Sequence, residues 1–296
     1  MDHPVCRLCG ETSHELVSET VAEAPGSSIY RCGKCGIIYQ FPIMSEEEEA
    51  RFYASEFERY MQGRSGPNWK SPEQHFLSYQ PEGERRLVLV RSFLGSQADV
   101  LEIGSSTGYF LDDLRGYVGT VTGIEPNVEY ARYAKSRRIE THASLEAVNG
   151  RTFDCIFLYY VLEHLRDPIE YLRKLKSLLK ADGRLIIEVP NVDDALLSTY
   201  TIPRFGPFYW QKAHYYYFSH RTLTAACQQA GYQADVVPVQ RYDLSNHLVW
   251  MMEGRPGGAG RFRDIFSPEL DTAYAEALKR QWLCDTVMAV VRESLE

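Results

Sequence analysis

The sequence predicts a mixed α/β chain, a largely parallel sheet with helices on both faces, preceded by a small module of another kind. Two observations predict it. From about residue 84 to residue 191, short apolar strands alternate with amphipathic helices, the rhythm of strand–helix–strand units in a parallel sheet. Ahead of that stretch, four of the seven cysteines stand in two CxxCG pairs, Cys6-Arg7-Leu8-Cys9-Gly10 and Cys32-Gly33-Lys34-Cys35-Gly36. The 296 residues are 44% hydrophobic and 24% charged, so a sizeable core is available and a disordered chain is excluded.

The elements follow in chain order. Residues 1–43 hold the cysteine pairs and end in the apolar run Ile37-Ile38-Tyr39 before Phe41-Pro42. Four thiolates close a tetrahedral zinc shell with no open position, so Cys6, Cys9, Cys32 and Cys35 are expected to hold a structural zinc. Redox use is the lesser reading, because redox CxxC motifs normally occur singly. Cys155, Cys227 and Cys284 are isolated and expected to be small buried hydrophobes. Residues 44–83 read as a helical linker or lid. Ser45 and four glutamates make an acidic helix start, and Phe52, Tyr53, Phe57, Tyr60, Trp69, Phe76 and Tyr79 follow between Gly and Pro breaks.

Residues 84–296 form the main expected domain. A helix over 87–93 ends at Gly95, and Val100 to Ile103 is a strand closed by Gly104-Ser105-Ser106-Thr107-Gly108. A helix over 109–115 and a strand over 121–124 follow. Asn127 caps the helix running to Arg137, and Phe153 to Leu158 is the next strand. Asp167-Pro168-Ile169-Glu170 supplies cap, N1 proline and N3 glutamate for a helix whose stripe is Ile169, Leu172, Leu175 and Leu179. A turn at Asp182-Gly183 precedes a strand over 184–189. Beyond Pro190-Asn191 the rhythm breaks into an aromatic insert, 192–218, expected to serve the substrate. A helix over 219–230, a strand over 235–240, a glycine-rich loop over 254–260, a helix from Ser267 and a strand over 287–291 complete the chain.

A strand that ends in glycine and turns into a helix lets a ligand approach bare backbone at the carboxyl edge of the sheet. The spacing is Gly104-x-x-x-Gly108, so GxGxxG is absent. Glu125, ending the next strand, is placed to accept hydrogen bonds from both hydroxyls of a ribose. These residues resemble the class I S-adenosylmethionine-dependent methyltransferases. Their first motif, ExGxGxG, appears as Glu102-x-Gly104-x-Ser106-x-Gly108, with serine at the middle glycine. Their acidic second motif matches Glu125-Pro126-Asn127. Phe153 to Leu158, Val161-Leu162-Glu163-His164-Leu165-Arg166-Asp167-Pro168 and Leu178 to Asn191 also look like this family. The resemblance implies a Rossmann-like seven-stranded sheet with an antiparallel last strand. It assigns Gly104, Ser106 and Gly108 to the methionine part of the cofactor, Glu125 to the ribose, and Glu102, Tyr109 and Pro126 to the cofactor site. Ser144 and Leu145 border adenine or cap the following helix. Tyr53 or Tyr60 of the linker reaches the cofactor carboxylate.

The cysteine module narrows the resemblance to deoxysugar C-methyltransferases, which carry a similar module and an E-H-x-x-Y-F-S segment. Here the run is Ala213-His214-Tyr215-Tyr216-Tyr217-Phe218-Ser219. His214 is in register and Ala213 replaces the glutamate, and most of their long C-terminal domain has no counterpart. Methyl transfer to a hydroxyl or acidic carbon needs alignment and removal of a proton. His214 is the first candidate base, with packing among aromatics as the alternative; His164 is the second. Tyr215 to Tyr217 stack on a ligand or pack in the core.

The expected function is therefore S-adenosylmethionine-dependent methyl transfer to a small polar metabolite such as a nucleotide-linked sugar. The alternatives are an RNA methyltransferase with a zinc recognition module, and a non-catalytic zinc-bearing scaffold. The net charge of −8 disfavours a broad nucleic-acid surface. No apolar run approaches the ~20 residues of a membrane span, and Met1-Asp2-His3-Pro4 lacks the start of a signal peptide. A cytoplasmic protein is expected.

Overall fold

The structure, a computed structural model, describes residues 4–65 and 71–293; Trp69 lies outside them. Strands β1 (His14–Ser18), β2 (Ser28–Cys32), β3 (Ile38–Phe41), β4 (Asp99–Ile103), β5 (Thr120–Ile124), β6 (Glu140–His142), β7 (Phe153–Tyr159), β8 (Leu179–Pro190), β9 (Tyr216–Tyr217), β10 (Tyr232–Val239) and β11 (Thr286–Glu293) form two sheets. The larger has seven strands in the order β10-β11-β8-β7-β4-β5-β6. β4 pairs in parallel with β5 and β7, β5 with β6 likewise, and β11 runs antiparallel to β10. The mostly parallel seven-stranded sheet with an antiparallel final strand is as expected. The middle strands are apolar on both faces: Val100, Leu101 and Ile103 in β4 and Phe153, Cys155, Ile156, Phe157 and Leu158 in β7 are all buried.

The helices are α1 (Glu46–Arg51), α2 (Phe57–Ser65), α3 (Pro72–Val90), α4 (Tyr109–Leu114), α5 (Val128–Ser136), α6 (Pro168–Leu175), α7 (Ala195–Ser198), α8 (Phe205–Tyr209), α9 (His220–Gln229), α10 (Leu244–Glu253) and α11 (Pro268–Arg280). None of them is long and apolar enough to cross a membrane. The chain divides into two compact units: Met44–Val161 with Lys174–Ile186, and Met1–Ile43 with Leu162–Arg173 and Ile187–Glu296.

In the first unit, α3 begins fifteen residues before the expected helix and carries Pro81 in its interior. Proline there removes the bond to the carbonyl of Leu77, and Leu77 is 56% exposed, so water can satisfy that carbonyl. β8 starts at Leu179 and runs through Asp182-Gly183, where a turn was expected; Leu179 is thus a strand residue and not part of the α6 stripe.

In the second unit, β1-β2-β3 form an antiparallel sheet that takes β9 as its fourth strand, pairing Ile38 with Tyr217 and Tyr39 with Tyr216. Residues of the aromatic insert cover this sheet: Leu196, Phe205, Tyr209, Trp210 and Tyr217 share a core with Val21, Ile29, Ile38 and Trp250 of α10. Pro238 sits within β10 without penalty because β10 is an edge strand. α10 was not anticipated; Asp243, which caps it by accepting from the Asn246 N–H, was its sequence signal.

Candidate functional site

The cofactor motif lies entirely within the first unit. Gly104 ends β4 at φ +71°, and a Cβ there would stand 2.7 Å from Val161 Cγ2, so only glycine fits. Gly108, at φ +78°, caps α4 with its absent Cβ facing Ile139 and Ala134. Between them Ser106 holds φ +50°, a left-handed conformation that serine rarely adopts and that the family's glycine would take at no steric cost. Glu125 holds it there. One carboxylate oxygen accepts the Ser106 N–H at 2.7 Å and the other the Asn127 N–H at 2.8 Å, while the Glu125 N–H donates to the His142 carbonyl at 2.8 Å. The ends of β4, β5 and β6 thereby meet at one residue, whose carboxylate holds the turns after β4 and β5 and whose backbone N–H holds β6. His142 in turn leads to Ser144, which opens a 3₁₀ turn over Leu145–Val148.

Glu102 points elsewhere. Its Oε1 lies 3.6 Å from the Arg86 guanidinium, which also packs 4.2 Å from the centre of the Tyr159 ring and 5.2 Å from that of Tyr109. Burial pushes the Glu102 carboxyl up to about 8 against the pull of Arg86, and Oε2 is buried with no hydrogen-bond partner among the described residues. An orphaned carboxylate oxygen below a glycine turn suits an ammonium group such as that of methionine. Tyr53 and Tyr60 pack edge-on against Phe52, and Tyr53 also against Phe57.

The sequence reading missed His75. This buried residue of α3 lies with Nδ1 3.0 Å from Thr107 Oγ1 and Nε2 3.5 Å from Ser106 Oγ. Its ring stacks on Tyr79 at 4.4 Å, and burial lowers its pKa to about 4. No local pattern marks it, since its polar partners Ser106 and Thr107 lie 31 and 32 residues away in the chain.

The second unit holds two further clusters. The four sulfurs of Cys6, Cys9, Cys32 and Cys35 all lie within 4.8 Å of one another, with Cys6–Cys35 at 3.6 Å and Cys9–Cys32 at 3.5 Å. Thiolates about 2.3 Å from a tetrahedral zinc stand about 3.8 Å apart, so the spacing fits that ion, and no pair is disulfide-bonded. The two knuckles are alike: Gly10 N–H donates to the Cys6 carbonyl and Gly36 N–H to that of Cys32. Cys155, Cys227 and Cys284 are buried singly, as expected.

The other cluster joins both candidate histidines to a carboxylate that sequence reasoning did not single out. Glu163 sits in a 3₁₀ turn just past β7. Its Oε1 is 4.0 Å from Nε2 of His164 and 4.0 Å from Nε2 of His214. The two imidazoles meet edge-on at 4.8 Å. Ala213 leaves no carboxylate before His214, and Glu163 brings one from a segment fifty residues earlier. The Ala213 carbonyl instead accepts the Nδ1–H of His164 at 2.7 Å. Burial raises the Glu163 carboxyl to about 8, with Glu188 adding to it, and lowers His164 to about 4. Tyr215, Tyr216 and Tyr217 are buried, so that run is packing. His220 stacks on Trp282 at 4.1 Å at the start of α9.

A glycine turn tied to an acidic strand end on a mostly parallel sheet defines an α/β domain for a nucleoside-bearing cofactor. The chain belongs to the methyltransferase-domain family, whose model matches residues 73–237, and this stretch is an S-adenosylmethionine-dependent methyltransferase domain. Among curated relatives, a tRNA U34 carboxymethyltransferase of Dichelobacter nodosus is 28% identical over 38% of this chain and 39% of its own length. A ubiquinone biosynthesis O-methyltransferase of Haemophilus ducreyi is 28% identical over 31% of this chain and 45% of its own. The matched stretch spans less than half the length of either. Among solved structures, a SAM dependent methyltransferase from Archaeoglobus fulgidus shares the fold with a TM-score of 0.53 at 14% identity, covering 81% of this chain and 100% of that one.

Proposed function

We propose that the chain transfers a methyl group from S-adenosylmethionine to a small polar acceptor, a nucleotide-linked sugar or a related biosynthetic intermediate. When bound, the cofactor supplies an electrophilic methyl group on a sulfonium. The chain's own residues bind and orient it. Glu125 takes the ribose hydroxyls on its remaining lone pairs, and Gly104 to Gly108 give the methionine part access to bare backbone. Glu102 meets the ammonium group, and Ser144-Leu145 border the base. A structural zinc on Cys6, Cys9, Cys32 and Cys35 fixes the turns of the N-terminal sheet.

The observation that carries the acceptor side is the buried cluster of Glu163, His164 and His214. It follows the carboxyl end of β7, the edge of a parallel sheet at which ligands bind. It offers a carboxylate and two imidazoles to a hydroxyl, amine or acidic carbon that must lose a proton. The four-cysteine module and the acidic composition support a small metabolite over a phosphate backbone.

The test is transfer of labelled methyl from S-adenosylmethionine to two panels, nucleotide-linked sugars and bulk tRNA. Label on a sugar nucleotide, lost in His214→Asn, is expected. Label on tRNA instead would overturn the acceptor class, and no binding of S-adenosylhomocysteine would overturn the enzyme reading and leave the scaffold.

A further inference from the structure

We propose that Glu163, His164 and His214 form a site for one divalent first-row transition cation, with one coordination position left for an exogenous ligand. Both carboxylate oxygens of Glu163 are buried, and neither has a hydrogen-bond partner among the described residues. An ionised carboxylate cannot remain so in a protein interior without a compensating charge or donor.

His164 does not supply a proton. The Ala213 carbonyl can only accept, so Nδ1 of His164 carries the ring hydrogen and Nε2 presents a lone pair. That lone pair faces Glu163 Oε1 at 4.0 Å, acceptor against acceptor. A shared proton would draw the two atoms to roughly 2.6–3.2 Å. A cation bound at about 2.0–2.2 Å to each atom spans up to about 4.2 Å. At a tetrahedral angle the two atoms would stand about 3.4 Å apart, so the observed gap, repeated at 4.0 Å between the same oxygen and His214 Nε2, is wider than a bound ion by about half an ångström. One ligand atom from each of the three residues lies within 4.8 Å of the others, so small side-chain rotations complete the shell.

The surroundings hold the ligands in place as metal sites require. His164 is fixed through Nδ1, and the Glu163 carbonyl accepts the Tyr215 N–H at 2.8 Å. The His214 N–H donates to the Gln211 carbonyl, and the Gln211 amide lies 3.3 Å from His214 Nδ1. The atom at that distance is the amide nitrogen, so coordination through His214 Nε2 requires the amide to turn its oxygen to Nδ1 and accept the ring hydrogen there. The His164 and His214 side chains keep 18% and 11% of their exposure, which leaves a way in. Two imidazoles and one carboxylate suit zinc, iron(II), cobalt(II) or manganese(II) over calcium or magnesium. Three protein ligands leave the open position of a catalytic site, unlike the closed four-thiolate shell.

The consequence rests on the acceptor reading above. A hydroxyl acceptor held at the open position would be acidified by the cation and release its proton to water, and His214 would act as a ligand and not as the base.

The test is a Co²⁺ titration of full-length protein carrying one equivalent of zinc, enough for the four-thiolate site alone, followed by visible absorption, with S-adenosylhomocysteine binding measured on the same samples. One equivalent of Co²⁺ with d–d bands and no thiolate charge-transfer band is expected. At least a tenfold weaker Co²⁺ affinity is expected in both Glu163→Gln and His164→Ala, with circular dichroism as the folding check. Absence of those bands in the parent protein overturns the site, and so do bands that persist unchanged in both variants or that carry thiolate charge transfer. Cobalt bands without S-adenosylhomocysteine binding would keep the site and remove the methyltransferase reading; binding without bands would do the reverse.

Discussion

Replacing Glu125 tests the cofactor site most directly. Its two oxygens already accept the N–H groups of Ser106 and Asn127 at 2.7 and 2.8 Å, so only the remaining lone pairs are available to a ribose. Two hydrogen bonds to a charged acceptor contribute roughly 1.5–3 kcal/mol each, so Glu125→Ala should weaken S-adenosylhomocysteine binding by at least about 100-fold. Glu125→Gln is the sharper perturbation. It preserves volume but puts an NH₂ group where an oxygen now accepts a backbone N–H, donor against donor, in either orientation of the amide. The Ser106 turn, held at φ +50° by that contact, then loses its tether. Gln should therefore lose nearly as much affinity as Ala. Isothermal titration calorimetry with S-adenosylhomocysteine reads both, with thermal melting confirming that the variants fold. A Gln variant that binds like the parent would refute the assignment of the carboxylate as a double acceptor.

Three further outcomes follow from the same geometry. His75 has a folded pKa of about 4 against an unfolded 6.5, so the unfolded chain binds a proton first as pH falls; stability should drop through the window from 6.5 to 4 by roughly 3 kcal/mol, and His75→Gln should flatten that limb of the midpoint-versus-pH curve by about one proton. Removing zinc by chelation, or Cys32→Ser, should lower the thermal midpoint by about 10 °C, because Cys32 ends β2 and its shell pins both knuckles; a melt indifferent to chelator would exclude structural zinc. Arg86→Met strands the buried Glu102 and should cost about 3–5 kcal/mol in urea unfolding, a loss that adding Glu102→Gln should partly restore; equal stability of Arg86→Met and the parent would show that the pair is not coupled.

What was legible in the sequence, and what was not, divides by range. The β4 strand, the glycine turn and Glu125 were readable because each is set by neighbours within a few residues: apolar runs, a left-handed glycine, an acid closing a strand. The cysteine knuckles were readable for the same reason. α3 was cut short because Pro81 is a strong local signal, and only the solvent exposure of Leu77 makes it tolerable. The serine at position 106 was legible as a replacement for glycine, but not its φ of +50°, which it keeps beside two tethers: Glu125, nineteen residues later, and His75, thirty-one earlier.

The candidate acceptor site shows the limit most clearly. The expected glutamate before His214 is missing, and reading along the chain makes that a departure from carbon methylation. The Tyr215 N–H donates to the Glu163 carbonyl, and the Ala213 carbonyl accepts from the His164 side chain, so one backbone bond and one side-chain bond clamp the segment after β7 onto the segment before β9. Those bonds require no particular side chain at 213 or 215, so no residue pattern encodes them. They nevertheless fix where the Glu163 carboxyl lies, and they bring beside His214 the carboxyl group that position 213 lacks. A substitution that breaks the clamp while leaving all three side chains intact, such as Tyr215→Pro, should therefore remove the cluster's function as completely as losing Glu163 itself. If Tyr215→Pro folds and keeps the parent's Co²⁺ affinity and methyl transfer, the backbone clamp is not what assembles the site.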